Sequence, residues 1–113
     1  MAPVPIVRDF WSELYNSGVD IAISGHEHLY ERFAPQTADG VADPDYGIRQ
    51  FVVGTGGAPL MPALSRVANS EVLLMKHGVL KLTLEPQSYK WEFVSTDGGA
   101  VVDSGAGTCH LRK

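Results

Sequence analysis

The sequence has a single cysteine, Cys109, among its 113 residues, so no intrachain disulfide can form and the fold must rest on packing, metal or a partner. It has no excess of basic charge. Nine Lys plus Arg stand against 13 Asp plus Glu, a formal charge of −4, which excludes binding nucleic acid by displacing counterions from phosphates. Long hydrophobic runs are also missing. The most apolar stretch, Val19 to Ile23, is broken by Asp20 and falls far short of the roughly 20 residues that span a bilayer, so no membrane role is expected. The opening Met1-Ala2-Pro3-Val4-Pro5 has neither the basic start nor the apolar stretch of a secretory leader, and none is expected. There are no internal repeats. A chain of this length builds one small core, and residues 1–113 read as a single domain.

From Pro5 to Ser17, Ile6, Phe10 and Leu14 recur at four-residue spacing, flanked by Val7, Trp11 and Tyr15, with Asp9, Ser12, Glu13 and Asn16 opposite. That spacing predicts an amphipathic helix, with Pro5 in its first turn and Gly18 ending it. Val19 to Ser24 reads as a short strand buried on both faces. Ala34 to Gly47 is Pro-, Asp- and Gly-rich without period and reads as a loop. Strand chemistry resumes at Ile48 to Thr55, and a second loop passes Pro59, Pro62 and Asn69. Gly78 to Leu84 and Tyr89 to Phe93 then alternate apolar and polar residues around Glu85-Pro86-Gln87-Ser88, which predicts a hairpin with one apolar face. On that face, Leu82→Asp is expected to unfold the chain. The glycine-rich tail from Asp97 offers one short strand at Val101-Val102. The fold class is α/β, mostly β with one N-terminal helix.

Chemistry concentrates where the first strand opens, at Ser24-Gly25-His26-Glu27-His28. In extended backbone residues i and i+2 share a side, which would let His26 and His28 converge on one ligand. Gly25 is expected to take a positive φ there, so that Gly25→Val would disturb this loop more than the fold. A His-x-His pair alone fixes no metal and is equally a pair of loop histidines. Gly54-Thr55-Gly56-Gly57 lacks the Lys-Ser/Thr of a phosphate-binding P-loop and reads as a tight strand exit. Glu31 and Arg32 could touch substrate, but an internal ion pair that fixes the loop is the stronger reading. Tyr89, Trp91 and Phe93 read as core rather than as a ligand-stacking stripe. Cys109 reads as a free thiol rather than a ligand paired with His110.

The string Gly25-His26-Glu27-His28-Leu29-Tyr30-Glu31-Arg32 resembles the last metal-binding motif, Gly-His-x-His, of the calcineurin-like metallophosphoesterases, with the Tyr-Glu-Arg extension of the purple acid phosphatase branch. The surrounding Leu14-Tyr15, Gly18-Val19-Asp20, Ile48 to Gly57 and Asp103 to His110 are similar to that family too. The resemblance implies the C-terminal portion of a four-layer α/β/β/α sandwich. It also implies a binuclear site of Fe, Zn or Mn, in which two ions about 3.5–4 Å apart activate a hydroxide for attack on a phosphoester. His26 would serve one ion and His28 the other, with Gly25, Tyr30, Glu31 and Arg32 as supporting or substrate-contacting residues. An acid phosphatase of this branch is implied to act on phosphomonoesters, in a secreted or periplasmic parent.

The family's other ligands come from an aspartate motif, a Gly-Asp motif, a Gly-Asn-His motif and a further histidine, and this sequence contains no Gly-Asp and no Asn-His pair. His77 and His110 lack matching neighbours. The chain is therefore expected to be a fragment, binding metal weakly or not at all and inactive alone. A homo-oligomer is expected to cover the exposed sheet around Ile21, Ile23 and Phe51, and to bring two histidine pairs together. The alternative is a small independent β-rich module that binds a metal or a protein.

Overall fold

The structure of the protein, a computed structural model, describes residues 5–62 and 66–110; the side chains of Pro5 and Ile6 lie outside the described set. Helix α1 spans Pro5–Asn16. Its end shows why a glycine stands at position 18. Gly18 N donates to Tyr15 O at 3.1 Å and Val19 N to Leu14 O at 3.1 Å. This crossed pair of bonds requires a left-handed residue between them, and Gly18 has φ 78°. Tyr15 then ties the helix to the following loop through a 2.5 Å bond to Asp43.

Among the described residues seven strands follow: β1 (Ile21–Ser24), β2 (Tyr30–Phe33), β3 (Arg49–Val53), β4 (Ser70–Leu74), β5 (Gly78–Leu84), β6 (Ser88–Ser95) and β7 (Val101–Thr108). They make two sheets, ordered β1-β3-β2-β4 and β5-β6-β7. In the first, β1 runs parallel to β3, while β2 is antiparallel to both β3 and β4. The second is an antiparallel meander whose hairpin takes the expected register, with Leu80 opposite Phe93, Leu82 opposite Trp91 and Leu84 opposite Tyr89.

The main core joins the sheets. Tyr30 and Phe51 from the first meet Tyr89, Trp91 and Phe93 from the second, with Ile21, Val53, Leu80 and Leu82 packed around them. Tyr30 stacks on Phe93 with ring centroids 4.1 Å apart, and Phe51 meets Trp91 edge-on at 5.4 Å. Leu29, Phe33 and Val52 form a smaller cluster with Leu73. Leu82 is half-buried rather than enclosed, so the cost of Leu82→Asp is smaller than the sequence alone suggests. About 2 kcal/mol is expected, read as a lower urea midpoint with a folded native state.

Several expectations need correction. The first strand is four residues long and lies at a sheet edge, paired only with β3 among the described residues; Ile23 is 53% exposed, so the strand is not buried on both faces. Phe51, expected on an open face awaiting a second copy, is fully buried by this chain's own second sheet. The motif residues Tyr30 to Phe33 are strand rather than loop, and part of the second loop is β4. The tail is a full eight-residue strand, because its glycines make room for aromatic rings. Gly105 pairs with Trp91 and Gly107 with Tyr89, and a Cβ at either glycine would overlap the facing ring.

Candidate functional site

Because β1 and β3 are parallel, their carboxyl ends open side by side, the usual place for ligands in sheets of this kind. Gly25 to Leu29 leaves β1 there, and Gly54 to Met61 leaves β3 beside it. The two loops touch backbone to backbone. Gly54 N donates to Leu29 O at 3.1 Å, and a Cβ on Gly54 would collide with the Glu27 carbonyl. The tight exit expected at Gly54 is thus a close approach that only glycine permits.

The histidine loop is not extended. Its left-handed residue is His26, at φ 78°, and Gly25 is not among the positive-φ residues and has open space where a Cβ would sit. This overturns the expected role of Gly25 and the i, i+2 argument for convergence. Past His26 the chain turns tightly, Leu29 N bonding to Glu27 O at 2.8 Å, and so feeds β2 back antiparallel to β3. A left-handed backbone at a non-glycine residue costs on the order of 1 kcal/mol and is often found at functional sites.

His26 is exposed and His28 half-buried. The Nδ1 of His28 lies 2.9 Å from Pro59 O. A carbonyl only accepts, so Nδ1 carries the hydrogen and the lone pair of the neutral ring is on Nε2. This is the arrangement of a metal-binding imidazole, whose second nitrogen is held by a backbone carbonyl. The donor type suits Zn, Fe or Mn. No three His, Cys, Asp or Glu among the described residues could hold an ion together.

The remaining motif residues do another job. Tyr30 donates to Asp103 Oδ2 at 2.5 Å, Arg32 donates to both oxygens of Asp103 at 2.8 and 3.0 Å, and Trp91 Nε1 donates to Oδ2 at 3.2 Å. Arg32 also pairs with Glu71, as does Arg49 at 2.8 Å. Both guanidinium groups lie over the Trp91 ring, 5.0 and 4.7 Å from its centroid. Tyr30 and Arg32 therefore bolt the first sheet to β7. Burial and then the bond to Asp103 drive the Tyr30 phenol far above its ordinary value. Burial would raise Asp103 as well, but the hydrogen bonds from Arg32 and Tyr30 and the charge of Arg32 outweigh it and hold the carboxyl below the usual range. Glu31 alternates to the other face of β2.

Two histidines passed over in the sequence have defined partners. His77 Nε2 lies 2.8 Å from Ala58 O, and His110 Nε2 lies 2.8 Å from Gly47 O and 3.4 Å from Asp20. The Cys109 thiol is pushed up by burial and by Asp20, which makes it a poor nucleophile. An open hollow of about 390 Å³ on the second sheet, lined by Thr83, Lys90, Trp91, Glu92, Ser104 and Gly105, includes no residue of the histidine loop.

No protein-family model matches the chain, and none of the curated proteins does. Solved structures do. A purple acid phosphatase, PPD1 from yellow lupin (Lupinus luteus) seeds, aligns over 94% of this chain with TM-score 0.77 and 28% identity. GAP50, described as the anchor in the inner membrane complex of Plasmodium, aligns over 88% with TM-score 0.73 and 21% identity. The chain spans 20% of the lupin protein and 29% of GAP50. The helix and two sheets of its described residues match the C-terminal domain of a purple acid phosphatase-like fold.

Proposed function

We propose that this chain is the C-terminal portion of a binuclear metal-dependent phosphoesterase of purple acid phosphatase type, to which it contributes His26 and His28, one imidazole for each ion. The observation that carries the reading is His28: at the open end of the parallel strand pair, its Nδ1 is spent on Pro59 O and its Nε2 is left as the ligating nitrogen. The likeness to the lupin phosphatase over nearly the whole chain supports it. When bound, the metals would polarise the phosphoryl group and supply the hydroxide. The chain's own residues orient the two rings, through the strained turn at His26 and the carbonyl clamp on His28. Tyr30 and Arg32, committed to Asp103, hold β2 and so the far end of the histidine loop. Two imidazoles leave each ion short of the three protein ligands typical of catalytic zinc, so the chain alone is inactive.

Titration with Co(II), followed by visible absorption and calorimetry, tests this reading. Weak binding that falls further in His26→Ala and in His28→Ala is expected, with hydrolysis of 4-nitrophenyl phosphate at background. Tight binding untouched by both alanines would refute the assignment of ligands. Turnover abolished by His26→Ala would refute the fragment reading. The second reading is a small independent module of the same fold that binds a metal or a protein, since one fold hosts many functions. An upstream frame carrying Asp, Gly-Asp-x-x-Tyr and Gly-Asn-His strings would decide for the phosphoesterase.

A further inference from the structure

The loop after β3 is anchored at both ends. Gly54 N bonds to Leu29 O, Thr55 exchanges bonds with Gly78 through both its backbone carbonyl at 3.1 Å and its buried hydroxyl at 2.9 Å, and Met61 N bonds to His28 O at 2.9 Å. Between these anchors lie Ala58 and Pro59, whose successive carbonyls are taken by two histidines from different parts of the fold. Pro59 O receives His28 from the β1–β2 loop, and Ala58 O receives His77 from the residue that precedes β5. Neighbouring carbonyls of one loop are thus gripped by histidines of two different segments. His77 is itself fixed, because Thr96 N bonds to its carbonyl at 3.0 Å and the next residue, Gly78, starts β5 with no room for a Cβ.

We infer that His77 is a positioning residue for His28: by holding Ala58 O it presents Pro59 O to the His28 ring and so fixes which nitrogen of that ring carries the lone pair. The second sheet thereby sets the state of a ligand on the first. The inference deepens the metal-site reading and rests on it for its purpose, while its geometry is independent of any metal. His77 acts through its Nε2–H alone, and a side chain with a donor at the same reach can replace it.

The test is the tautomeric state of each ring in the full ¹⁵N-labelled chain, read from long-range ¹H–¹⁵N spectra at a pH about two units above the usual histidine value, where the imidazoles are neutral. In the wild-type chain His28 is expected as Nδ1–H and His77 as Nε2–H. In His77→Leu the ratio of Nδ1–H to Nε2–H forms of His28 is expected to fall about fivefold, the factor carried by one net hydrogen bond. His77→Gln, whose amide nitrogen reaches as far as Nε2, restores the ratio; the shorter His77→Asn does not. Finding His77 as Nδ1–H in the wild type overturns the inference, and so does an unchanged His28 in folded His77→Leu or His77→Asn. If the leucine variant fails to fold, the wild-type states and the Gln–Asn contrast decide. Zinc separates the two readings. Absence of shifts at His26 and His28 even at millimolar zinc, where weak binding is seen, with the tautomers as expected, counts against the metal-site reading and leaves His77 as the residue that orients His28.

Discussion

Asp103→Ala is expected to lower stability by about 3–5 kcal/mol, a large part of the roughly 5–15 available to a domain. The carboxylate side chain, 7% exposed, accepts from Tyr30, Arg32 and Trp91, and its removal leaves a buried phenol without its partner and the largely covered Arg32 with Glu71 alone. Breaking one side of such a pair costs more than the pair contributes, because the remaining charge stays desolvated. Urea denaturation reads the loss directly, and a midpoint close to wild type would show that the lock is dispensable. The same group predicts a pH profile. Its pKa is lowered on folding, so its stabilisation is present above about pH 4 and is lost as pH falls further. Tyr30 has the opposite sign. With its pKa raised on folding, its share is present below about pH 10 and is lost as pH rises beyond that. Tyr30→Phe should weaken the alkaline limb, leaving the share of Tyr15 and Cys109, which are also raised, and keep the acid one.

Gly54→Val is expected to cost about 3 kcal/mol, near the upper end for overpacking, since what the new Cβ meets is the Glu27 carbonyl and the Cα of His28 rather than a side chain that can swing away. Gly25→Ala, by contrast, meets nothing within 4 Å and should change stability by less than about 0.5 kcal/mol. Thermal unfolding of the two variants side by side gives the order. Equal losses would mean that the loop after β1 moves freely against the loop after β3.

The contrast between these glycines shows where the sequence was readable. Alternation placed the β5–β6 hairpin in its register, and the four-residue apolar spacing with Gly18 placed α1 and its end. The spacing of His26 and His28 marked the loop at the end of β1, but not its backbone, because glycine before a turn invites the left-handed angle that His26 takes instead. The tail was misread for a related reason. Gly105 and Gly107 suggested flexibility, and their meaning lies in a period of two that matches Trp91 and Tyr89 across the strand pair. No local pattern could show that Arg32 and Asp103 meet, nor that His77 reaches the loop beside His28, since those contacts depend on how two sheets face each other.

The lock between the sheets has a consequence for synthesis. Tyr30 and Asp103 are 73 positions apart, and the bond from His110 to Asp20 spans 90. At roughly 5–20 residues per second, the first sheet leaves the ribosome several seconds before β7 exists to close it. Until β6 follows, Phe51 and Tyr30 lack their ring partners Trp91 and Phe93, and the edge of β1 that no described strand covers is open to pairing. The rings of Tyr30 and Phe51 thus wait for Phe93 and Trp91 of β6, and the polar lock on Asp103 waits for β7, so the two sheets close only after the second has been synthesised.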